Sequence, residues 1–415
     1  MKKFLSKLLI IFVFLLPFPS FVLADDLEEE TVDVAAEIEA STVSTKPPEL
    51  NSRSCVVLDR ISGTILYGKN EKKQVKMAST TKIMTALVVI ENTTLDRTVE
   101  VSKKAAGTGG SRLGLKTGDK ITIRDLLYGL MLCSGNDAAV CLAESISGSV
   151  LEFSNLMNAK AQELGLTNTH FESPHGLDSD GHYTTAYELA LLSNYALKNS
   201  HFLALVGTKN YTVTINGYPK NLSNTNELLG ALNGVYGIKT GFTNGANRCL
   251  VSACKRGNMD IICVVLGADT KNFRTKDSIK LIEYTFKNYA YFDLKGFASN
   301  SISEWQKNNT NFFSIEKGVS NDLTIKPDSS LENYSVIPVR KDLISNMKAT
   351  ITMESNLQAP VKEGSCLGKL CISSGETNIA EFGLFSATPI RKTNMFDYLL
   401  NFFKFYPSPL EDALF

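Results

Sequence analysis

Apolar residues return at helical spacing between Ser79 and Glu91, where Ile83, Met84, Leu87, Val88 and Ile90 are uninterrupted by Gly or Pro. The pattern predicts a buried helix that opens at Ser79. A second apolar run, Ile121 to Leu132, predicts another helix, and 137–143 a third, with Ser134-Gly135-Asn136 in the tight loop between them. Val235 to Ile238 reads as a short strand running into Lys239-Thr240-Gly241. Leu281 to Ala290 predicts an aromatic helix that closes this unit, and Tyr291-Phe292-Asp293-Leu294 begins a crossover. The periodicity then changes. Asp322 to Lys326, Tyr334 to Val339 and Lys348 to Met353 read as short strands, with turn signals at Pro327-Asp328 and Lys362-Glu363-Gly364.

The two ends carry different patterns. Lys2, Lys3 and Lys7 precede an apolar core from Leu8 to Phe18 and then Val22-Leu23-Ala24, the layout of a secretory signal with a small-x-small cleavage site. A retained anchor helix is the competing reading, but the apolar stretch is short and broken by Pro17 and Pro19. The following acidic cluster, Asp25 to Glu39, and its Ser-Thr-Lys-Pro-Pro continuation predict a solvated linker. At the other end Phe396, Leu399, Leu400 and Phe403 fall on one helical face and Asp397, Asn401 and Lys404 on the other, before Pro407. About 20 apolar residues are needed to span a bilayer, so this segment suits lying in the interface instead. Packing against the β unit is the alternative. The expected organisation is a signal peptide over 1–24, a linker over 25–50, an α/β unit over 51–293, a small all-β unit over 294–388 and the amphipathic segment over 389–415.

Charge excludes some functions. Lys plus Arg equals Asp plus Glu at 43 each, so no global basic field invites nucleic acid. Export separates the mature chain from cytoplasmic ATP and NAD, which argues against kinase or dehydrogenase chemistry. Eight cysteines could form a disulfide framework, yet most occupy apolar positions that suit small buried hydrophobes. Cys366 and Cys371 are the best pair for a local bridge. Among four histidines, His175 and His182 with Asp178 form the sole cluster to weigh as a metal site, and a glycine-rich loop is the better reading. No metal or other cofactor is expected.

Three short motifs carry chemistry. In Ser79-Thr80-Thr81-Lys82 the lysine lies one helical turn from the serine, within reach of its hydroxyl. A serine needs a base, and a lysine can act as one only if its pKa falls well below the usual ~10.4. Burial and a second cation lower it. Ser134 can relay a proton, and the Asn136 amide can both donate to and accept from a peptide group. Lys239 supplies charge, the Thr240 hydroxyl suits a carboxylate, and Gly241 lets a ligand backbone approach along the strand edge. Each motif alone is weak; their order and setting together are specific.

With Met77 to Thr85, Ser173-Pro174-His175-Gly176-Leu177, Tyr183-Thr184-Thr185-Ala186 and Lys239 to Thr243, the stretch from about Asn51 to Ala290 resembles the low-molecular-mass penicillin-binding proteins, the serine-type D-alanyl-D-alanine carboxypeptidases. The resemblance implies a β-lactamase/transpeptidase-like fold, an antiparallel sheet with helices, followed by a small β-domain. It implies acylation of Ser79 by a peptidoglycan stem peptide or by β-lactam antibiotics, with Lys82 as base. Ser134, Lys239 and Lys82 all remain open as aids to deacylation. Backbone N–H groups of Ser79 and Phe242 would form an oxyanion hole, and Arg274 would lie near the terminal carboxylate, although a salt bridge is the rival role. A C-terminal membrane anchor helix is implied on the outer face of the cytoplasmic membrane.

This chain departs from many relatives, with Ser173-Pro174 for Asn-Pro and Ala246-Asn247 for Ala-Gly. These changes bear on substrate preference more than on reaction type. A β-lactamase using Glu172, a transpeptidase and a non-catalytic wall-binding protein are the competing functions.

Overall fold

The computed structural model describes residues 32–41 and 46–405. The predicted signal segment and the last ten residues lie outside them. Five antiparallel strands form the central sheet, in the order Ile65–Lys69, Ser54–Asp59, Met259–Ala268, Asn247–Arg256, Val235–Thr243. Because both faces are covered, the inner strands are apolar along their length, and the two-residue period divides their side chains between two cores. Val56, Leu58, Val251, Ala253, Ile262 and Val264 face the larger core, which is filled by helices around Lys82–Asn92. Cys55, Val57, Leu250, Cys254, Ile261 and Cys263 face the smaller one, covered by the helix Lys271–Asn288.

Most expected elements appear, with shifted ends. The run from Ile121 begins as the strand Lys120–Thr122, because the Thr122 hydroxyl accepts from Asp125 N–H and so caps a helix that starts only at Ile123. The helix expected over Leu281–Ala290 extends back to Lys271. Its first turns are polar, so their helical character left little hydrophobic signal. Part of the expected linker is also helical: Val34–Ser41 folds, with Val34 and Ile38 against the smaller core and Glu37 Oε2 3.4 Å from Lys276 Nζ. The two apolar positions that allow this docking were masked in composition by the surrounding acids.

Tyr289–Phe292 then pairs antiparallel with Ile337–Arg340, tying the two units together. The second unit is β-rich. Its four-stranded sheet runs Ile325–Pro327, Thr377–Ser386, Cys366–Ser374, Met347–Met353, and the helix Leu294–Asn308, which the strand pattern did not predict, adds Leu294, Ala298 and Ile302 to its core. Cys366 and Cys371 lie five residues apart on one strand, roughly 16 Å along it and on opposite faces, so the proposed bridge is not made. All eight cysteines are free thiols.

Leu370 is fully buried at the centre of the second core. Leu370→Ala should destabilise that unit by about 2–5 kcal/mol, measured as a lowered urea midpoint, while penicillin acylation of the first unit at 20 °C stays at the wild-type rate.

Candidate active site

The serine stands at a strained corner. Ala78 has φ of 48°, left-handed for a residue with a Cβ, and opens a 3-10 turn over Ala78–Thr81 that continues as Lys82–Asn92. Gly176 makes this corner possible, since a Cβ there would lie 2.0 Å from the Ala78 carbonyl oxygen. His182 braces it from behind. The ring accepts Glu172 N–H at Nδ1 (3.0 Å), which leaves the proton on Nε2, 2.7 Å from Thr81 Oγ1, and that hydroxyl donates to the Ala78 carbonyl.

Lys82 is fully buried, and its Nζ lies 2.8 Å from Ser79 Oγ, 2.7 Å from Asn136 Oδ1 and 2.8 Å from the His175 carbonyl oxygen. Two of these partners can only accept. A neutral amine has two protons and one lone pair, so donating to both oxygens leaves the lone pair for the Ser79 hydroxyl proton. Burial is the main force that pushes the Lys82 pKa well below its ordinary value, and the positive charge of Lys239 pushes it the same way. The amide of Asn136 is oriented by its own donation from Nδ2 to the Gly109 carbonyl, 2.7 Å away. Its oxygen therefore serves Lys82, while Nδ2 keeps a second hydrogen beyond the one given to Gly109.

Ser134 is buried, with φ of 59°, in the turn ahead of the helix Asn136–Ser147. Behind it Asp137, which the sequence reading did not single out, accepts from the N–H groups of Leu113, Gly114 and Leu115 at 2.8, 2.7 and 3.0 Å. This carboxylate pins the loop that carries Gly109 and Ser111, and Ser111 in turn accepts Asn136 N–H.

The third segment closes the groove. A Cβ on Gly241 would sit 3.0 Å from Ser79 N, a tight contact, so the glycine eases the close approach of the edge strand to the serine. Lys239 is buried with Nζ 3.1 Å from the Thr240 carbonyl oxygen, and Thr240 Oγ1 lies 2.7 Å from Thr225 Oγ1. Thr225 is a second residue without a sequence signal; its N–H donates to the Leu132 carbonyl, two residues before Ser134. Phe242 carries the Arg248 guanidinium 3.7 Å above its ring. Arg274 is fully buried and holds Glu227 Oε1 at 3.1 Å, so its guanidinium is engaged in an ion pair whose carboxylate stays partly exposed.

The metal reading finds each donor engaged. Asp178 accepts from Thr243 Oγ1 and Gly245 N–H at 2.7 and 2.8 Å, and His175 Nδ1 accepts Leu177 N–H at 3.2 Å. Burial pushes His175 down to about 3 and His182 to about 4, so both rings are neutral near pH 7. Glu172, the acid a β-lactamase would need, accepts instead from Ser179 in an exposed turn.

Residues 41–270 match the family model described as D-alanyl-D-alanine carboxypeptidase. The chain belongs to that family. Residues 313–392 match a second model, the C-terminal domain of penicillin-binding protein 5. The D-alanyl-D-alanine carboxypeptidase DacF of Bacillus subtilis is 33% identical over 408 residues, 96% of this chain and 97% of its own. The crystal structure of the carboxypeptidase DacD from Francisella tularensis superposes with a TM-score of 0.69 at 26% identity, covering 91% of this chain and all of that one. A Streptomyces K15 structure, titled a DD-transpeptidase, covers 58% of this chain and 99% of its own at 36% identity and a TM-score of 0.56. The catalytic α/β unit and the β-rich unit are thus those of a penicillin-binding serine carboxypeptidase, which is an enzyme of the bacterial cell wall.

With Lys82 as the base, acylation should rise with pH through its lowered pKa, because only a neutral amine can accept the serine proton. Lys239→Gln removes the neighbouring positive charge, so the inflection of the acylation-rate profile should move to higher pH, read independently of the loss in binding. An inflection that stays put would separate Lys239 from the tuning of Lys82.

Proposed function

We propose that Ser79 attacks the carbonyl of the penultimate D-Ala of a stem pentapeptide, releases the terminal D-Ala and then yields the acyl group to water. The Ser79 proton passes to Lys82 as the Oγ–C bond forms. The C–N bond breaks with a proton delivered to the departing amine, for which Ser134 is the relay. Backbone N–H groups of Ser79 and Phe242 stabilise the oxyanion, while Lys239 and Thr240 hold the terminal carboxylate. The observation that carries this reading is the triple coordination of Lys82, which leaves its lone pair only the serine to act on.

The structural relative titled a transpeptidase favours a second acceptor for the same acyl-enzyme, an amine in place of water. Incubating the enzyme with pentapeptide and a D-amino acid, then quantifying exchanged against hydrolysed product, separates the two; hydrolysis should dominate. Mass spectrometry after penicillin treatment should show one adduct, on the peptide containing Ser79, and none in Ser79→Ala. Lys82→Ala should slow adduct formation by ~10²–10⁴-fold. Peptide cleavage that persists in Ser79→Ala would overturn the assignment.

We further infer export and peripheral attachment to the membrane. The helix Met395–Phe405 leaves Met395, Phe396, Tyr398, Leu399 and Leu400 exposed, each by 46% or more, which argues against packing on the β-rich unit. No helix among the described residues is long and apolar enough to cross a membrane. Mature protein should float with vesicles containing anionic lipid, and a chain ending at Thr393 should stay at the bottom of the gradient with full penicillin binding.

A further inference from the structure

The segment from Asn224 to Leu228 wraps the open edge of the sheet. Its Thr225 bridges the Ser134 loop and Thr240, as described above, while Leu228 is buried in the core behind the sheet. Between them Glu227 turns its carboxylate toward the helix Lys271–Asn288. Oε1 meets Arg274 Nη2 at 3.1 Å and the Thr275 hydroxyl, and Oε2 lies 3.2 Å from Lys271 Nζ. The Arg274 side chain is wholly buried, but that of Glu227 remains 21% exposed, so the cluster keeps one side open to water.

Two residues of chain reach at most about 7 Å. Glu227 therefore stands within that distance, measured along the backbone, of the threonine that touches Thr240. Both cations occupy the first turn of their helix, which holds no acidic residue. The partial charge of the helix start is positive there as well. Glu227 sets a negative charge against these cations, two residues along the chain from the threonine that touches Thr240. A fixed negative charge so placed weakens the attraction of the groove for an anionic substrate end, and the effect falls off slowly in a poorly hydrated region.

We propose that Glu227 is a specificity-determining residue: as a counter-charge to Arg274 and Lys271, it sets how strongly the enzyme demands a free carboxylate on the departing residue. The inference rests on the carboxypeptidase reading and deepens it. It concerns a charge that acts on the substrate through the field, so its mark is a change in discrimination and not a change in overall rate.

The test compares kcat/KM for a peptide ending in D-Ala-D-Ala with that for the same peptide as its C-terminal amide. In Glu227→Gln the ratio of acid to amide should rise about tenfold, because one negative charge is lost while the neutral peptide feels little of the change. Lys271→Gln should lower the ratio several-fold, and Glu227→Asp should restore it toward wild type. An unchanged ratio in Glu227→Gln, or an equal loss on both peptides, overturns the proposal in favour of a purely structural pin. Should Glu227→Gln fail to fold, a ratio that does not fall in Lys271→Gln overturns it alone. Wild-type enzyme that cleaves neither peptide would instead sink the functional reading itself.

Discussion

Burying the Lys82 amine is the constraint on which the site is built. An ammonium withdrawn from water is costly unless its charge is balanced, and here the largest charge effect on it comes from another cation, Lys239. The neutral form is the one such a position favours. A neutral amine in an unstructured cavity would still rotate freely, and its lone pair would have no defined direction. The His175 carbonyl and the Asn136 amide oxygen remove that freedom by taking both protons. Base strength and base direction thus come from different parts of the chain, and neither suffices alone.

That requirement explains why the site is assembled from segments so far apart in sequence and so heavily cross-tied. Asp178 links the His175 loop to the turn after the edge strand through Thr243 and Gly245. Thr225 links that strand to the end of the helix before Ser134. Asp137 holds the loop that orients Asn136. Thr225 joins two of the three segments, and the two carboxylates fix loops that pack on them. Side chains that never meet the substrate therefore decide where the reacting atoms lie.

The serine and lysine were legible because their adjacency is local: three residues along a helix place them on one face whatever the rest of the fold does. The strand character of Lys239-Thr240-Gly241 and the loop character of Ser134-Gly135-Asn136 were legible for the same reason. Contacts between distant segments left no such trace. Nothing in the neighbourhood of Thr225 or Asp137 distinguishes them from ordinary polar residues, and the contact of Asn136 with Lys82 was not foreseen because the two lie 54 positions apart. Arg274 shows the same limit. The resemblance singled it out and left a salt bridge as the rival role, but its partner Glu227 stands 47 residues earlier. The helix Lys271–Asn288 was shortened because its first turns are polar and carry little hydrophobic stripe, and Leu294–Asn308 was missed inside a segment read for its strands.

The β-rich unit fits the proposed placement at the membrane through the stiffness of its attachment. A flexible linker would let the groove tumble relative to the C-terminal helix. Instead the helix Lys271–Asn288 runs straight into Tyr289–Phe292, which pairs with Ile337–Arg340, and the Tyr291 hydroxyl donates to Asp59 Oδ2 of the central sheet at 2.6 Å. The chain that leaves the first unit is thereby hydrogen-bonded to both units over the same four residues. Such a joint transmits orientation as well as distance. If the apolar face of Met395–Phe405 rests on a lipid surface, the β-rich unit acts as a strut, and the height at which Ser79 meets its peptide is set by folded structure rather than by the reach of a tether.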